Sequence, residues 1–330
     1  MATPTTTAPA PGAPAAGAKG PDRVRRAKRS PALRRMRLRR ALPGYLMLLP
    51  FAVLFVGFLV WPLANSLYFA FTNYNGVKAP SFVGFDNFQR LWFEDERFRK
   101  AIVNSFVYVA AAVTLTTGLA LALAVAFRGT SWRDRIMRTL FFLPAVTSTI
   151  AVALIWRWIF SGEDFGLANT VVGWFGAEPV QWLATPHWTI PILVLMAVWG
   201  GCGYGMVIFV AGLNAIPEEH YESARLDGAN SWQQFWYITL PQLKPVTTYV
   251  VITSLISAFQ IFEAVYIVFR AVSTVGGVQD SGLMLVPYLY DMGFTKFQLG
   301  YASAIAWSLF IIIFIVSMIQ LRVTRALREL

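Results

Sequence analysis

"YESARLDGANSWQQFWYITLP", residues 221–241, is the stretch that decides how the rest of the chain is read. It sets Glu222 and Asp227 before Gly228 and follows them with a polar and aromatic tail, inside a chain that is otherwise strongly apolar. Just upstream, Pro217 suits the first position of a helix, where its missing N–H costs nothing. Glu218 and Glu219 then lie beside the positive end of the helix dipole. Gly228 can adopt the left-handed conformation that closes a helix. Ser231 with Gln234 has the S-x-x-Q form of a capping box, which predicts a second short helix toward "FWYITLP". Pro241 and Pro245 break the chain again. The expected unit is a helix, a tight glycine turn and a second helix.

The surroundings of this unit are membrane-like. Of the 330 residues, 56% are hydrophobic and 14% charged, with a mean hydropathy of +0.54. Soluble domains carry about 25% charged residues, so this chain lacks the charge to cover a water-facing surface. Several apolar runs reach the roughly 20 residues that a helix needs to cross a bilayer. Six spans are expected, at about 45–71, 104–127, 139–160, 189–213, 246–269 and 299–321. The first contains Pro50 and Pro62, so kinks are expected there. Cys202 is the only cysteine and His187 and His220 the only histidines, which suggests neither a disulfide, nor a metal cluster, nor a His-based catalytic set.

The net charge of +11 is unevenly spread. Residues 1–44 hold 11 of the 28 Lys and Arg, in a run next to the first span, which is a retention signal for a cytoplasmic terminus and can touch anionic lipid rather than nucleic acid. The Pro/Ala/Thr/Gly-rich start cannot build a core. The arm 1–44 is therefore expected to be disordered and cytoplasmic, ahead of a transmembrane domain over 45–330. It does not read as a cleaved signal peptide, because the following span is too long. With the N-terminus inside, cytoplasmic segments hold 20 Lys and Arg against 7 outside, so both termini are placed in the cytoplasm. Without the arm the split is 9 to 7.

On this topology residues 214–244 form the longest inner loop and the only acidic one. A hairpin lying on lipid would favour Lys and Arg on its polar face. Acids dominate here, so a protein partner is the better reading.

A transported substrate needs polar groups near the midplane, and ionisable residues inside spans point to them. Glu263 lies in the fifth span and Arg157 near the end of the third, where it can snorkel among belt tryptophans. The fifth span also carries Thr253, Ser254, Ser257, Phe259 and Gln260. Residues 253, 257, 260 and 264 share one face, as do 254, 257 and 261. Hydroxyls and an amide beside an aromatic ring suit a neutral sugar. Bonds to the helix's own carbonyls, or to a neighbouring helix, account for the same residues equally. Gly201 and Gly205 form a G-x-x-x-G in "WGGCGYGMV", which close helix packing explains.

The 221–241 stretch resembles the EAA signature of the membrane permeases of binding-protein-dependent ABC importers, written EAA-x3-G-x9-I-x-L-P. Glu222-Ser223-Ala224 stands for the EAA, then Gly228, Ile238 and Leu240-Pro241 follow at the matching spacing, and Ser223 for alanine is the one departure. "FVGFDNFQRLW", "NSFVYV", "RTLFFLPAV", "ALIWRWIF" and "GYASAIAWSLF" are similar in style and order to the maltose-type carbohydrate permeases. After the fifth span the family has an LTgGGP-like turn, whereas this chain reads "VFRAVSTVGGVQDS" without the proline.

The resemblance implies an all-α membrane protein with six transmembrane helices in the type I ABC importer permease fold, its core at about 101–321. It implies that the loop 214–244 is a coupling helix pair docking on an ATP-hydrolysing subunit, with Glu222 facing that subunit and Gly228 allowing close approach. Ser223, Ala224, Asp227, Ile238, Leu240 and Pro241 belong to the same contact. Tyr204 falls at a sugar-lining position, joining Ser254, Ser257, Phe259, Gln260 and Glu263. The implied partners are a second homologous permease, a dimer of ATP-binding subunits, an extracytoplasmic solute-binding protein, the sugar and membrane lipid, in a bacterial cell membrane. The chain has no G-x-x-x-x-G-K-[ST], so it is expected to bind no cofactor itself, with ATP and magnesium held in the partner ATPase.

Other classes leave different marks. An ion-coupled secondary transporter places paired carboxylates or broken helices at the midplane, where Glu263 stands alone in sequence. An intramembrane enzyme needs clustered acids, a metal set or a nucleophile–base pair, and none can be assembled. An anionic solute such as glycerol phosphate would want Lys or Arg near the site, and the fifth span has none before Arg270.

Overall fold

The computed structural model describes residues 31–269 and 274–329, with side chains described over 43–269 and 274–324. Residues 1–30 of the basic arm, and 270–273 of the segment that departs from the glycine-proline turn, lie outside the described residues. The chain divides into two units, Met1–Trp61 and Pro62–Leu330.

In the first unit, helix α1 (Pro31–Phe55) begins well before Tyr45, taking in the last part of the segment expected as a structureless arm. The Leu-, Arg- and Met-rich run "LRRMRLRRAL" consists of good helix formers, which explains the earlier start. Pro43 and Pro50 lie inside the helix. The hydrogen-bond register then widens to a π turn over Val56–Val60, where the Trp61 N–H reaches the Val56 carbonyl. Phe51, Leu54, Phe58 and Leu59 are all exposed, as suits a helix bathed in hydrocarbon.

The second unit starts at Pro62, within α2 (Trp61–Ala70), and continues with a short antiparallel pair, β1 (Thr72–Asn73) with β2 (Ser81–Phe82), in which Thr72 faces Phe82. Helix α3 (Asp86–Gln89) precedes α4 (Glu96–Ala126), which is capped by Asp95 accepting from the Phe98 N–H. Next come α5 (Trp132–Phe142), α6 (Thr149–Ile159), α7 (Leu167–Trp174) and α8 (Pro186–Asn214). The loop helices are α9 (Glu218–Leu226), α10 (Ser231–Gln234) and α11 (Leu240–Gln242). Helices α12 (Lys244–Phe259), α13 (Glu263–Phe269), α14 (Leu285–Tyr290) and α15 (Leu299–Glu329) complete the chain.

Among the described residues four helices are long and apolar enough to cross a membrane, at Pro43–Ala70, Glu96–Ala126, Pro186–Asn214 and Leu299–Thr324. The expected third and fifth spans are bent pairs instead. Between Trp132–Val146 and Thr149–Ile159 the axis turns by 96°, and between α12 and α13 by 41°. Pro144 explains the sharper bend, since it offers no N–H to the Leu140 carbonyl and the chain turns extended at Thr147 (φ −83°, ψ 145°).

Small residues set how closely the helices approach. A methyl group on Gly201 would lie 3.0 Å from Thr116 Cγ2, and one on Gly205 would lie 2.9 Å from Ala120 Cβ. These paired positions ascend together, so α4 and α8 run parallel. On the far side of α8, a methyl on Gly203 would sit 1.9 Å from the Phe141 carbonyl oxygen. Backbone meets backbone there, and only glycine fits.

Two apolar clusters fill the unit. The larger gathers Phe98, Leu193, Phe259, Phe269, Met284 and Tyr288 toward the end where α4 begins. The smaller gathers Ala120, Ala124, Met206, Phe209, Leu213 and Leu243 toward the loop 214–244.

Candidate functional site

The break between α12 and α13 opens onto a cavity of about 470 Å³. Its wall combines α4 (Tyr108, Thr116), α6 (Thr149), α8 (Gly201, Tyr204), α12 (Ser254, Ser257) and the break itself with Gln260 and Glu263. The helix tightens before it stops: the Gln260 N–H reaches the Ile256 and Ser257 carbonyls at 3.3 and 3.2 Å, and the Ile261 N–H reaches Ala258 at 3.3 Å. Among the lining residues Glu263 is the only carboxylate, and none is Lys or Arg. A concave site of this size with a few convergent polar groups is what a small ligand needs.

Five of the six residues expected along a substrate path line this cavity: Tyr204, Ser254, Ser257, Gln260 and Glu263. Phe259 does not. It is 1% exposed, packs edge-on against Phe106 with ring centres 5.3 Å apart, and belongs to the core. Thr253 lines the wall but ties its hydroxyl to the Tyr249 and Val250 carbonyls at 2.9 and 3.1 Å. Thr116 and Thr149 were missed, because nothing local marks one threonine in a span as facing a cavity formed by three other helices.

At the other end of α8, α9 closes through Gly228, whose φ is +81°. The Ala229 N–H returns to the Ala224 carbonyl at 2.8 Å and the Gly228 N–H to Arg225 at 3.1 Å, a Schellman closure. Two details differ from expectation. Pro217 is the cap residue (ψ 132°) rather than the first helical one. The capping box belongs to Asn230 and Gln233, whose side chains accept from each other's backbone N–H at 2.9 and 2.8 Å. Asn is as good a cap as Ser, and its backbone is the one that is extended here (ψ 169°).

The two limbs of this hairpin are joined by side chains that the sequence did not flag. The Tyr221 and Thr239 hydroxyls bond at 2.9 Å, and His220 Nδ1 pairs with Gln242 Nε2 at 2.7 Å. Arg225 meets Glu218 at 2.8 Å on the surface. Glu222, Ser223, Asp227 and Gly228 are exposed, while Ala224, Ile238 and Leu240 are half-buried. Leu226, Trp232 and Tyr237 are exposed to 90%, 69% and 80%, an apolar and aromatic rim beside the acids that invites a protein surface.

The end opposite this hairpin is closed by a polar clasp. Arg97 donates to both carboxylate oxygens of Asp280 at 2.8 and 2.9 Å and to Asp291 at 3.3 Å. The Asn104 amide donates to the Asp280 and Leu283 carbonyls at 3.0 and 3.2 Å. These bonds hold Gln279 and Asp280 at φ +55°. The Arg97 guanidinium keeps the Asp280 carboxyl below the usual carboxylate range, against the opposing effect of burial. Burial raises the Asp95 carboxyl, but donation from Tyr288, Tyr301 and the Phe98 N–H outweighs it and leaves Asp95 below its ordinary value.

Residues 116–329 match the family described as the binding-protein-dependent transport system inner membrane component. The chain belongs to that family, and is a multi-pass membrane protein. It is 38% identical over 280 residues, 84% of this chain and 89% of the relative, to the probable ABC transporter permease protein YesP of Bacillus subtilis strain 168. It is 33% identical over 286 residues, 86% of this chain and 88% of the relative, to the arabinooligosaccharides transport system permease protein AraP of Halalkalibacterium halodurans. Its fold matches a chain of a bacterial ABC transporter involved in the import of the acidic polysaccharide alginate, with a TM-score of 0.78 at 24% identity, covering 88% of this chain and 98% of that one.

Proposed function

We propose that this chain forms half of the translocation pathway of an ATP-driven importer for a neutral sugar or oligosaccharide. The observation that carries this reading is the cavity at the α12–α13 break, whose wall offers hydroxyls, an amide and one carboxylate but no cation. A polyhydroxylated, uncharged ligand matches that wall, whereas an anion would meet Glu263 unopposed. The names of AraP and of the lactose transport system permease LacF of Rhizobium radiobacter, 30% identical over 286 residues, support a carbohydrate.

The bent pairs each count as one span in this reading, giving six. Parallel α4 and α8 support this, because the chain between them must return across the bilayer. The basic arm and the loop 214–244 then lie in the cytoplasm, with both termini inside. The arm 1–44 precedes a permease domain over 45–330 with its core at about 101–321. The exposed Glu222, Ser223, Asp227, Gly228 and Pro241, with the half-buried Ala224, Ile238 and Leu240 behind them, form the contact for an ATP-binding subunit that holds ATP and magnesium. A second permease completes the pathway, and an extracytoplasmic binding protein delivers the sugar.

Reconstitution of the whole importer tests this. ATP-dependent uptake of labelled oligosaccharide is expected to fall severalfold in Tyr204→Ala and Gln260→Ala with assembly intact. Phe259→Ala should instead reduce the folded yield, since truncating a buried Phe costs about 3–5 kcal/mol. Wild-type uptake by both cavity variants would remove them from the path.

A further inference from the structure

The segment between α6 and α8 is built around one buried amide. Asn169, 5% exposed, accepts from Trp182 Nε1 at 2.6 Å and from the Val180 N–H at 3.0 Å. Its amide nitrogen donates to the Ser161 and Val180 carbonyls at 3.3 and 3.2 Å. One side chain thus ties both ends of the segment to the inward face of α7. On the opposite face Leu167, Val171 and Trp174 follow at i, i+4 and i+7, exposed to 44%, 39% and 77%. Phe165 and Phe175 extend the same patch at 65% and 85%.

We propose that α7 is an interfacial anchor that lays this face into the lipid headgroup boundary, at the end of the bundle away from the 214–244 hairpin. Three observations choose lipid over protein. The segment is only about 25 residues long and both its ends continue into apolar helices, so the patch is held at the depth where those helices leave the bilayer. Its aromatic tip, Trp174 and Phe175 with Phe165, is the pattern that membrane interfaces favour. The exposed stripe Ile150, Leu154 and Trp158 on α6 leads into it, with exposed Arg157 beside Trp158 at the level where a long cation reaches lipid headgroups. The anchor's role is to fix the height of a bent span too short on either limb to set its own depth: α6 is 11 residues, about 16 Å.

The test is site-directed spin labelling of the full chain, co-purified with its partner subunits and reconstituted in phosphatidylcholine–phosphatidylglycerol vesicles. Cys202→Ala removes the only native thiol. Nitroxides are then placed by Trp174→Cys and, as a second reporter one turn earlier, Val171→Cys, with exposed Glu178→Cys as the aqueous reference. Positions 174 and 171 are expected to collide with oxygen severalfold more than with a nickel chelate, and 178 the reverse. Free access of the chelate at 174 and 171 would overturn the proposal. So would protection from both quenchers, which would place a second protein chain on this face.

Discussion

Tyr221 and Thr239 stand 18 positions apart, yet their hydroxyls meet at 2.9 Å with both side chains buried. That bond fastens α9 to the π turn Phe235–Thr239 that runs into α11, so the hairpin behaves as one body. Thr239 also donates to the Gln234 carbonyl at 3.4 Å, so it acts as acceptor toward Tyr221. Tyr221→Phe removes about 1 kcal/mol from this joint and leaves the ring packed. Amide exchange across 218–240 should accelerate severalfold while the spans stay protected. Unchanged exchange would show that the joint is not what holds the limbs.

Gly228 is a conformational requirement and not a steric one. A methyl group there would meet nothing within 4 Å, but φ is +81°, which costs an L-residue about 1–2 kcal/mol. Gly228→Asn should therefore keep most transport, since Asn tolerates this region. Gly228→Val should insert normally and lose transport-coupled ATP hydrolysis. Normal uptake by the valine variant would disconnect this turn from coupling.

Gly203 is the converse case, with an unremarkable φ but no room. Gly203→Ala drives a methyl into the Phe141 carbonyl, and backbone cannot step aside as a side chain can. A loss of about 1–3 kcal/mol is expected, read as a lower melting temperature in detergent. Gly201→Ala, facing a threonine methyl at 3.0 Å, should be milder. Equal melting temperatures for the two variants would contradict this ranking.

The Arg97–Asp280 clasp carries a pH dependence of known sign. The folded Asp280 carboxyl is held below its unfolded value of about 3.9, so its contribution is complete above that value and disappears as pH falls through the lower, folded one. Proteolysis of the 274–298 segment by an acid-active protease should be flat from neutral pH down to about pH 4 and rise below it. In Asp280→Asn the segment should already be labile at neutral pH. A variant as resistant as the parent would mean that the clasp does not hold this loop.

Much of the architecture was legible because it is written locally. Long apolar runs marked the four unbroken spanning helices, and the proline–acid–glycine order around α9 marked a helix with a left-handed stop. The capping box slipped by one residue because Asn230 and Ser231 are both competent caps, and only the backbone decides between them. The 96° bend was hidden in "FFLP", where Pro144 reads as the start of a span until the geometry shows that it ends one limb. The clasp could not be read at all, since Arg97 and Asp280 are separated by 183 positions and neither sits in a motif. The cavity was half legible: a polar face on α12 shows in the spacing, but which threonines of α4 and α6 complete it depends on how three other helices pack.

The seat of Gly203 on Phe141 lies partway along a rod of 29 residues, about 43 Å. A rod pinned at one point has a fulcrum there, with about 16 Å of α8 on the hairpin side and about 26 Å on the other. In a rigid rod a sideways displacement imposed at Asn214 would therefore arrive at Pro186 reversed in direction and about one and a half times as large. Tyr204 sits one residue from the pivot, so the wall of the cavity turns while hardly travelling.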